Sequence, residues 1–165
     1  MCGRSLSHLG YRGRVAEHVS VLEVGVTWEP NAPDAILVSC GLGKTAVALN
    51  AHPDDEDERC VVFVWSGTRS ACLADPNDEA ISGHRLYAHG LERVLWAGQV
   101  RESDLIRDLE RRNRVHPHHD ASRFASLEHH VLLLKEQVAE VVAEAVEVRR
   151  LTGSTLDAAL SAMRS

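Results

Sequence analysis

Short runs of β-branched and aromatic residues, separated by turn residues, dominate the first half of the chain. Residues 19–28 alternate in part before an E-P-N-A-P-D turn cluster, and residues 60–65 read C-V-V-F-V-W. Between them, apolar runs at 35–40 and 44–50 flank G-L-G, the spacing of a hairpin whose glycines adopt positive φ. Runs of this length and composition predict strands. We expect an antiparallel, meander-like sheet in which residues 66–75 return as the hairpin partner of residues 60–65.

Polar turns and helix signals replace this alternation in the second half. Residues 75–91 hold too many polar and turn residues for a core strand, so we expect an ordered loop with a helical turn, then a strand at 91–100. Ser103 fits a helix N-cap and precedes an apolar face, which predicts a helix that ends before Pro117. A second helix is expected at 122–129.

The pattern at residues 130–151 fits two structures. Its glutamates, alanines and leucines favour a helix, whereas residues 138–148 also alternate as strands do. Gly153 interrupts the stretch, and residues 155–163 predict a short amphipathic helix.

The length and composition are those of one folded domain. At 165 residues, with 44% hydrophobic and 25% charged residues, the chain can build one sizeable core and is too apolar to be disordered. We therefore expect a single α+β domain over residues 1–165, mainly an antiparallel sheet with one or two short helices. Residues 1–18 are expected to be flexible, and residues 152–165 to form a C-terminal helical tail.

Charge and cysteine spacing narrow the function classes. The formal net charge of −6 argues against nonspecific binding of nucleic acid, which requires a basic face. The chain has no run of roughly 18 apolar residues and no apolar signal-peptide core, so we expect a cytoplasmic protein without a membrane partner. Its four cysteines form no C-x-x-C pair, and we expect free, mostly packed thiols. A homo-oligomer is compatible with these properties.

Two short matches to known ligand motifs lack the context that those motifs require. G-L-G-K-T at 41–45 matches the end of a nucleotide-binding P-loop, but Val38 stands where the motif needs its first glycine. The A-V-A-L-N that follows is too short for a phosphate-binding helix, so we expect a glycine hairpin and no nucleotide.

H-P-D-D at 52–55 is similar to the zinc motif of deacetylases that act on N-acetylglucosaminyl groups. The chain is too short for their Rossmann-like fold, and we interpret the segment as an acidic surface loop.

Three histidines and an aspartate fall within N-R-V-H-P-H-H-D at 113–120. Imidazoles with a carboxylate are suitable ligands for zinc or iron, so a divalent metal is one interpretation. His116 and His118 share one side only in an extended chain, which Pro117 favours. His119 then points the other way. A metal site would therefore need a partner from elsewhere, such as His84, His89 or His129, and the alternative is a polar loop without metal.

Three segments of the later half resemble a group of small, uncharacterised bacterial proteins. They are P-N-D-E-A-I-S-G-H-R-L-Y-A-H-G-L, N-R-V-H-P-H-H-D-A-S-R-F and L-E-H-H-V, which carry the family pattern P-N-D-E-A, G-H-x-L-Y, G-L, N-x-x-H-P-x-H and L-x-H. The matching positions are Pro76, Asn77, Asp78, Glu79, Gly83, His84, Leu86, Tyr87, Gly90, Leu91, Asn113, His116, Pro117, His119 and His129. The resemblance implies no established activity.

This chain departs from the family pattern after the last of these motifs. The family continues into an F-H-D-S-T-F-E-C-like strand pair, where Lys135 and Glu136 of this chain replace the His-Asp pair. The resemblance therefore favours strands at 131–148. If the His-Asp pair is catalytic in relatives, the resemblance implies that this protein is a divergent or inactive member of the family.

The polar residues of these motifs form the candidate site. Four of them are candidate catalytic residues, namely Asp78, Glu79, His84 and His116. Five more are candidates for binding substrate, namely Asn77, Tyr87, Asn113, His119 and His129. A carboxylate beside an imidazole can orient it for proton transfer, and a phenol can add a donor. The same residues could instead cap a helix start or form a buried network that locks the loop to the sheet.

Two classes of function follow. The first is a small protein that binds or transforms a small molecule in a pocket lined by histidine, aspartate and glutamate. The second is a non-catalytic accessory or interaction module whose polar motifs are structural. An enzyme should bring Asp78, His84 and His116 together around a concave pocket, whereas a module should expose a partly apolar patch, for which we consider residues 91–100. We favour the first class.

Overall fold

Among residues 15–55 and 59–165, which this computed structural model describes, nine strands form two antiparallel sheets. The five-stranded sheet has the order β1-β6-β7-β8-β5, and the four-stranded sheet has the order β2-β3-β4-β9. The strands are β1 (His18–Val21), β2 (Ile36–Cys40), β3 (Lys44–Asn50), β4 (Cys60–Ser66), β5 (Ser70–Ala74), β6 (Ala97–Arg101), β7 (Glu128–Leu133), β8 (Val138–Ala143) and β9 (Ala145–Leu151). The α-helices are α1 (Asp104–Asn113), α2 (Ser122–Ala125) and α3 (Thr155–Arg164). The predicted α+β class with antiparallel strands is confirmed.

The two sheets pack face to face around a core of aromatic and aliphatic side chains. Phe63 stacks on Trp65, with ring centroids 5.7 Å apart, and meets Trp28 edge to face. The opposite face of the four-stranded sheet packs on α3 through buried alanines such as Ala159. Strands β3 and β4 are therefore covered on both faces, which explains why C-V-V-F-V-W is continuously apolar.

Three short 3₁₀ helices, together called the 3₁₀ segment, cover the outer face of the five-stranded sheet. They are Asp78–Gly83, Tyr87–His89 and Leu91–Arg93. Leu86 and Leu91 are fully buried in a cluster that includes Val19 of β1. At Gly90, φ is +111°, and a Cβ there would lie 2.6 Å from the carbonyl oxygen of Val19. Only glycine lets the segment approach β1 this closely.

The expected single meander is wrong, because the first half of the chain contributes strands to both sheets. Strand β4 pairs with β3 and β9, whereas β5 pairs with β8 of the other sheet. Gly67, with φ of +65°, lies in the turn between β4 and β5. Alternation identifies the buried face of a strand but not its pairing partner, so residues 66–75 were assigned to the wrong neighbour.

The strand predicted at residues 19–28 is shorter than expected. Strand β1 ends at Val21, and beyond it Trp28 forms an isolated bridge with Ala51. Of the segment 1–18 that was expected to be flexible, residues 1–14 lie outside the described part of the chain. Glu17 is buried and hydrogen-bonded, as described below.

The second half follows the prediction more closely. Helix α1 begins after Ser103, whose hydroxyl accepts the Ile106 N–H at 3.2 Å, and it ends before Pro117. Helix α2 is a single turn, because the chain enters β7 at Glu128. The undecided stretch at 130–151 lies in β7, β8 and β9. The predicted C-terminal helix is present as α3, but it is a packed layer and not a tail.

The G-L-G segment forms the predicted hairpin between β2 and β3. Cys40 pairs with Lys44, and Gly43 has φ of +76°, whereas Gly41 does not have a positive φ. The cysteines are less packed than expected, since Cys40 and Cys72 are exposed and only Cys60 is buried among the described residues. Burial, together with the charge of Asp34, raises the pKa of the Cys60 thiol. Within the described ranges, the helices are too short and too polar to span a membrane.

Candidate functional site

A chain of three polar side chains lies between the five-stranded sheet and its covering elements. The period-2 alternation of β7 turns His129 away from the inter-sheet core, and Glu140 of β8 lies diagonal to it in the ladder. His129 Nε2 is 2.9 Å from a Glu140 carboxylate oxygen. On the other side of the ring, His129 Nδ1 is 2.8 Å from the Ser103 hydroxyl at the start of α1. Ser103, His129 and Glu140 are therefore connected in series.

Glu140 also receives two cationic or hydrogen-bonding groups from the 3₁₀ segment. His84 Nε2 lies 3.3 Å from its second carboxylate oxygen, and the Arg85 guanidinium donates to the carboxylate. Arg85 binds Glu17 as well, at 2.9 Å, and Glu17 accepts the N–H of Asp104 at 2.8 Å. We call this set the Glu140 network: Glu17, His84, Arg85, Ser103, His129 and Glu140.

The electrostatics of the network keep Glu140 ionised. Burial acts to raise the pKa of this carboxyl, but the hydrogen bond from His129 and the charges of Arg85 and His84 outweigh burial. Together they lower the pKa of Glu140 to about 2. A carboxylate at this position therefore stays negative at neutral pH and holds both histidines and the arginine in place.

In the Glu140 network the structure brings together two of the residues predicted to form the site, His84 and His129. Asp78 instead forms an ion pair with Lys135, with 2.7 Å between oxygen and nitrogen. That contact lowers the pKa of Asp78 and raises the pKa of Lys135. His116 is exposed near the end of α1. The predicted convergence of Asp78, His84 and His116 does not occur.

The remaining candidates of the 3₁₀ segment have local roles. Asn77 caps the first 3₁₀ helix by accepting the Ala80 N–H at 3.1 Å, as the structural alternative expected. Glu79 is exposed, and Tyr87 is half-buried within the second 3₁₀ helix. These side chains do not take part in the Glu140 network.

The N-x-x-H-P-x-H motif closes the end of α1. The His119 ring contacts Asn113 at 3.1 Å through Nδ1 and Glu110 at 2.9 Å through Nε2. His116 and His118 are exposed. They belong to a small cavity of about 190 Å³ lined by Arg69, Asn113, His116, His118, Asp120, Arg123 and Phe124. Asn113 and His119 thus stabilise a turn, and the histidine-rich stretch is separate from the Glu140 network.

Four members of the network were absent from the predicted site, and Ser103 was expected only as a helix cap. For Glu140 a signal existed, because V-A-E-V-V places one charge in an otherwise apolar strand. A charge in such a strand needs a partner when the strand is buried. Glu17 and Arg85 carry no comparable signal, since their partners lie far away in the sequence.

His130, the neighbour of His129, faces the opposite side of β7. Its Nδ1 accepts the Trp65 indole N–H at 3.1 Å in the core between the sheets. Burial, with smaller contributions from His129 and Arg101, lowers the pKa of His130 to about 4. The ring is therefore neutral at pH 7 and acts as a core acceptor.

This histidine predicts a loss of stability in weak acid. Below pH 6.5 His130 binds a proton in the unfolded chain, whereas in the folded protein it stays neutral until about pH 4. The free energy of unfolding therefore decreases as the pH falls from 6.5 to 4. The loss should approach about 3 kcal/mol. Urea denaturation from pH 7 to 4 should show a flatter profile for His130→Gln than for the unsubstituted protein. The exposed-site control His118→Gln should keep the original slope, and equal slopes in both variants would contradict this assignment.

A second candidate site is an apolar cleft beside the Asp78–Lys135 ion pair. Trp28 and Trp96 meet edge to face, with ring centroids 5.1 Å apart, and Leu95 on the rim is 73% exposed. The cleft has a volume of about 250 Å³ and is lined by Trp28, Pro30, Asp78, Ile81, Val94, Leu95, Trp96, Leu133, Leu134 and Lys135. We call it the tryptophan cleft. It combines apolar walls with one ion pair.

The described residues offer little to a metal ion. No group of three or more histidine, cysteine, aspartate or glutamate side chains in the described ranges has a geometry that could hold one. In the Glu140 network, the guanidinium of Arg85 already occupies the carboxylate. In the H-P-D-D segment, Asp55 instead accepts a hydrogen bond from Arg150 of β9 at 3.1 Å.

Comparisons of the chain with models of protein families, with curated proteins and with solved structures give no significant match. The resemblance to the small bacterial family therefore stays a prediction.

Proposed function

We propose that this protein binds a small molecule in the tryptophan cleft. The expected ligand has an aromatic or apolar body and one anionic group. The observation that carries the proposal is the pairing of Trp28, Trp96 and Leu95 with the Lys135 ammonium at the same cleft. Small-molecule sites are typically apolar concavities with a few well-placed polar groups. The proposal agrees with the sequence-based expectation of a small-molecule ligand but assigns the binding site to the tryptophan cleft and not to the histidines.

The chemistry of the walls supports this ligand class. The Trp28 indole N–H already donates to the Leu133 carbonyl at 3.2 Å, and only 1% of the residue is exposed, so Trp28 forms a rigid apolar floor beneath Trp96. Lys135 has three N–H donors, and the ion pair with Asp78 uses one of them. A carboxylate, sulfonate or phosphate on the ligand can therefore bind Lys135 while the ring packs against Trp96.

The proposal is tested with 1-anilinonaphthalene-8-sulfonate, a fluorescent probe that combines aromatic rings with an anion. We expect Leu95→Ser to weaken binding about fivefold to tenfold, because part of a leucine's burial energy is lost. We expect Lys135→Gln to weaken it as well. The measurement is probe fluorescence in titrations of folded protein, with folding checked by circular dichroism.

Leu42→Ser is the matched control, since Leu42 is 96% exposed at the β2–β3 hairpin, outside the residues that line the cleft. It should leave probe binding unchanged. Equal effects of the two leucine substitutions, or no binding by the unsubstituted protein, would remove the support for the cleft as a ligand site.

The alternative function, an interaction module, rests on the same exposed leucine. Leu95 lies within the predicted patch at residues 91–100, and a protruding apolar side chain beside a groove is typical of protein contacts. Sedimentation velocity at rising concentration tests the simplest partner, a second copy of this chain. Self-association that Leu95→Ser abolishes would favour this alternative over ligand binding.

A further inference from the structure

The serial contacts from Ser103 through His129 to Glu140 have the arrangement of a nucleophile, a base and an orienting carboxylate. The two heavy-atom distances, 2.8 Å and 2.9 Å, are ordinary hydrogen-bond lengths. Such a constellation is recognised by geometry and roles on unrelated folds. We propose that Ser103, His129 and Glu140 form a nucleophilic centre that hydrolyses small carboxylic esters.

The hydrogen-bond directions agree with these roles. The Ser103 oxygen accepts the Ile106 N–H, so its own proton is free to be donated to His129 Nδ1. The ionised Glu140 can only accept, so the proton of the neutral imidazole lies on Nε2 and is donated to it. His129 Nδ1 is therefore the basic nitrogen that faces the hydroxyl. The orientation of the His129 ring is therefore fixed by Ser103 at Nδ1 and by Glu140 at Nε2.

Ser103 lines a cavity that could admit a substrate. The cavity has a volume of about 440 Å³ and lies beside the N-terminus of α1. Its apolar wall includes Val100, Ile106, Phe124 and Leu127, and Arg101 and Arg107 also line it. An ester with a short apolar acyl group fits these walls. None of these lining residues belongs to the tryptophan cleft, so this inference is independent of the proposed function.

The reaction can be written with these groups and water alone. The Ser103 oxygen attacks the ester carbonyl carbon as His129 Nδ1 takes the hydroxyl proton, and Glu140 stabilises the resulting imidazolium. The bond to the alcohol oxygen breaks, and that oxygen takes the proton from His129. Water then attacks the acyl-serine by the same proton path, which releases the acid and restores Ser103. Because Ser103 is the N-cap of α1, the positive end of the helix dipole would stabilise negative charge that develops on a carbonyl oxygen bound next to it.

The test uses the full chain with a fluorophosphonate probe and p-nitrophenyl acetate. Mass spectrometry of the unsubstituted protein should locate the probe on Ser103, and release of p-nitrophenol should exceed the background rate. Ser103→Asn keeps a helix N-cap but removes the hydroxyl. We expect this substitution to abolish labelling and to reduce the rate of ester hydrolysis at least about a hundredfold. This rate loss is smaller than the loss found when a residue of an established catalytic triad is removed.

Ser154→Asn is the matched control, because Ser154 likewise caps a helix, accepting the Asp157 N–H at 3.2 Å at the start of α3, but lies outside both the cavity and the Glu140 network. It should be labelled and active like the unsubstituted protein. Absence of the probe from Ser103 in the unsubstituted protein would overturn the proposal, whatever the stability of the variants. So would hydrolysis that survives in folded Ser103→Asn.

Discussion

Glu140→Gln is expected to lower the free energy of unfolding by about 3 kcal/mol at pH 7, the low end of the range for breaking a buried ion pair, because Glu140 and His129 are largely buried but Arg85 is 43% exposed. The substitution keeps the size of the side chain but removes its charge. The guanidinium of Arg85 and the ring of His129 then share a neutral acceptor in place of a charged one, and the new NH2 group faces donors where the second carboxylate oxygen had accepted. Guanidinium or urea denaturation measures the loss directly.

The control for this substitution is Glu144→Gln. Glu144 also pairs with an arginine, Arg69, at 2.9 Å, but both side chains are exposed. Exposed pairs contribute at most about 1 kcal/mol, because water screens the charges. Similar losses in the two variants would mean that the Glu140 network does not contribute beyond a surface ion pair.

The same carboxylate predicts a second acid transition. The folded pKa of Glu140, about 2, lies below its ordinary value of 4.5. Its contribution to stability is therefore complete above pH 4.5 and is lost as the pH falls towards 2. This pH range lies below the range in which His130 acts. Glu140→Gln should therefore remove the dependence of stability on pH below 4.5 and leave unchanged the dependence that is due to His130.

Phe63→Ala is expected to cost about 3–5 kcal/mol of unfolding free energy, the usual loss for a buried phenylalanine. Phe63 is 1% exposed and packs on Trp65 and Trp28, so truncation leaves a cavity between two sheets that cannot close over it. Differential scanning calorimetry or urea denaturation measures the loss.

The other phenylalanine of the chain supplies the comparison. Phe124 is partly exposed in α2 and packs beside the His119 ring, with ring centroids 6.0 Å apart. Phe124→Ala should cost less than half as much as Phe63→Ala, because water already reaches its ring. A larger loss for Phe124 than for Phe63 would contradict the assignment of the core to the inter-sheet layer.

The local elements were predictable where a signal lies within a few residues. The Ser103 cap, the G-L-G hairpin and the C-terminal helix follow from side-chain hydrogen bonding, turn chemistry and helical periodicity. The strand predicted at residues 19–28 was too long, and a positive φ at Gly25, which the alternation does not reveal, lies between β1 and the isolated bridge at Trp28. Sheet membership was not predictable either, since β4 and β5 follow each other closely in the chain but pair with strands of different sheets.

Contacts among the candidate residues were predicted only in part. His84 and His129 are correctly placed together, whereas His116 and Asp78 lie elsewhere, because motifs adjacent in a sequence pattern need not meet in space. Lys135, where the resemblance predicts a histidine in relatives, pairs with Asp78 at the tryptophan cleft. The predicted departure from the family therefore falls at the proposed ligand site.

By itself, the sequence determined the α+β class, helices α1 and α3, and strands β2, β3 and β4. Those properties depend on contacts between near neighbours along the chain. Only the tertiary structure decided that Ser103, His129 and Glu140 are in series and that Glu17 and Arg85 complete their network. These partners are up to 87 residues apart, as in the Asp104–Glu17 contact, and their meeting depends on strand register and on the docking of the 3₁₀ segment.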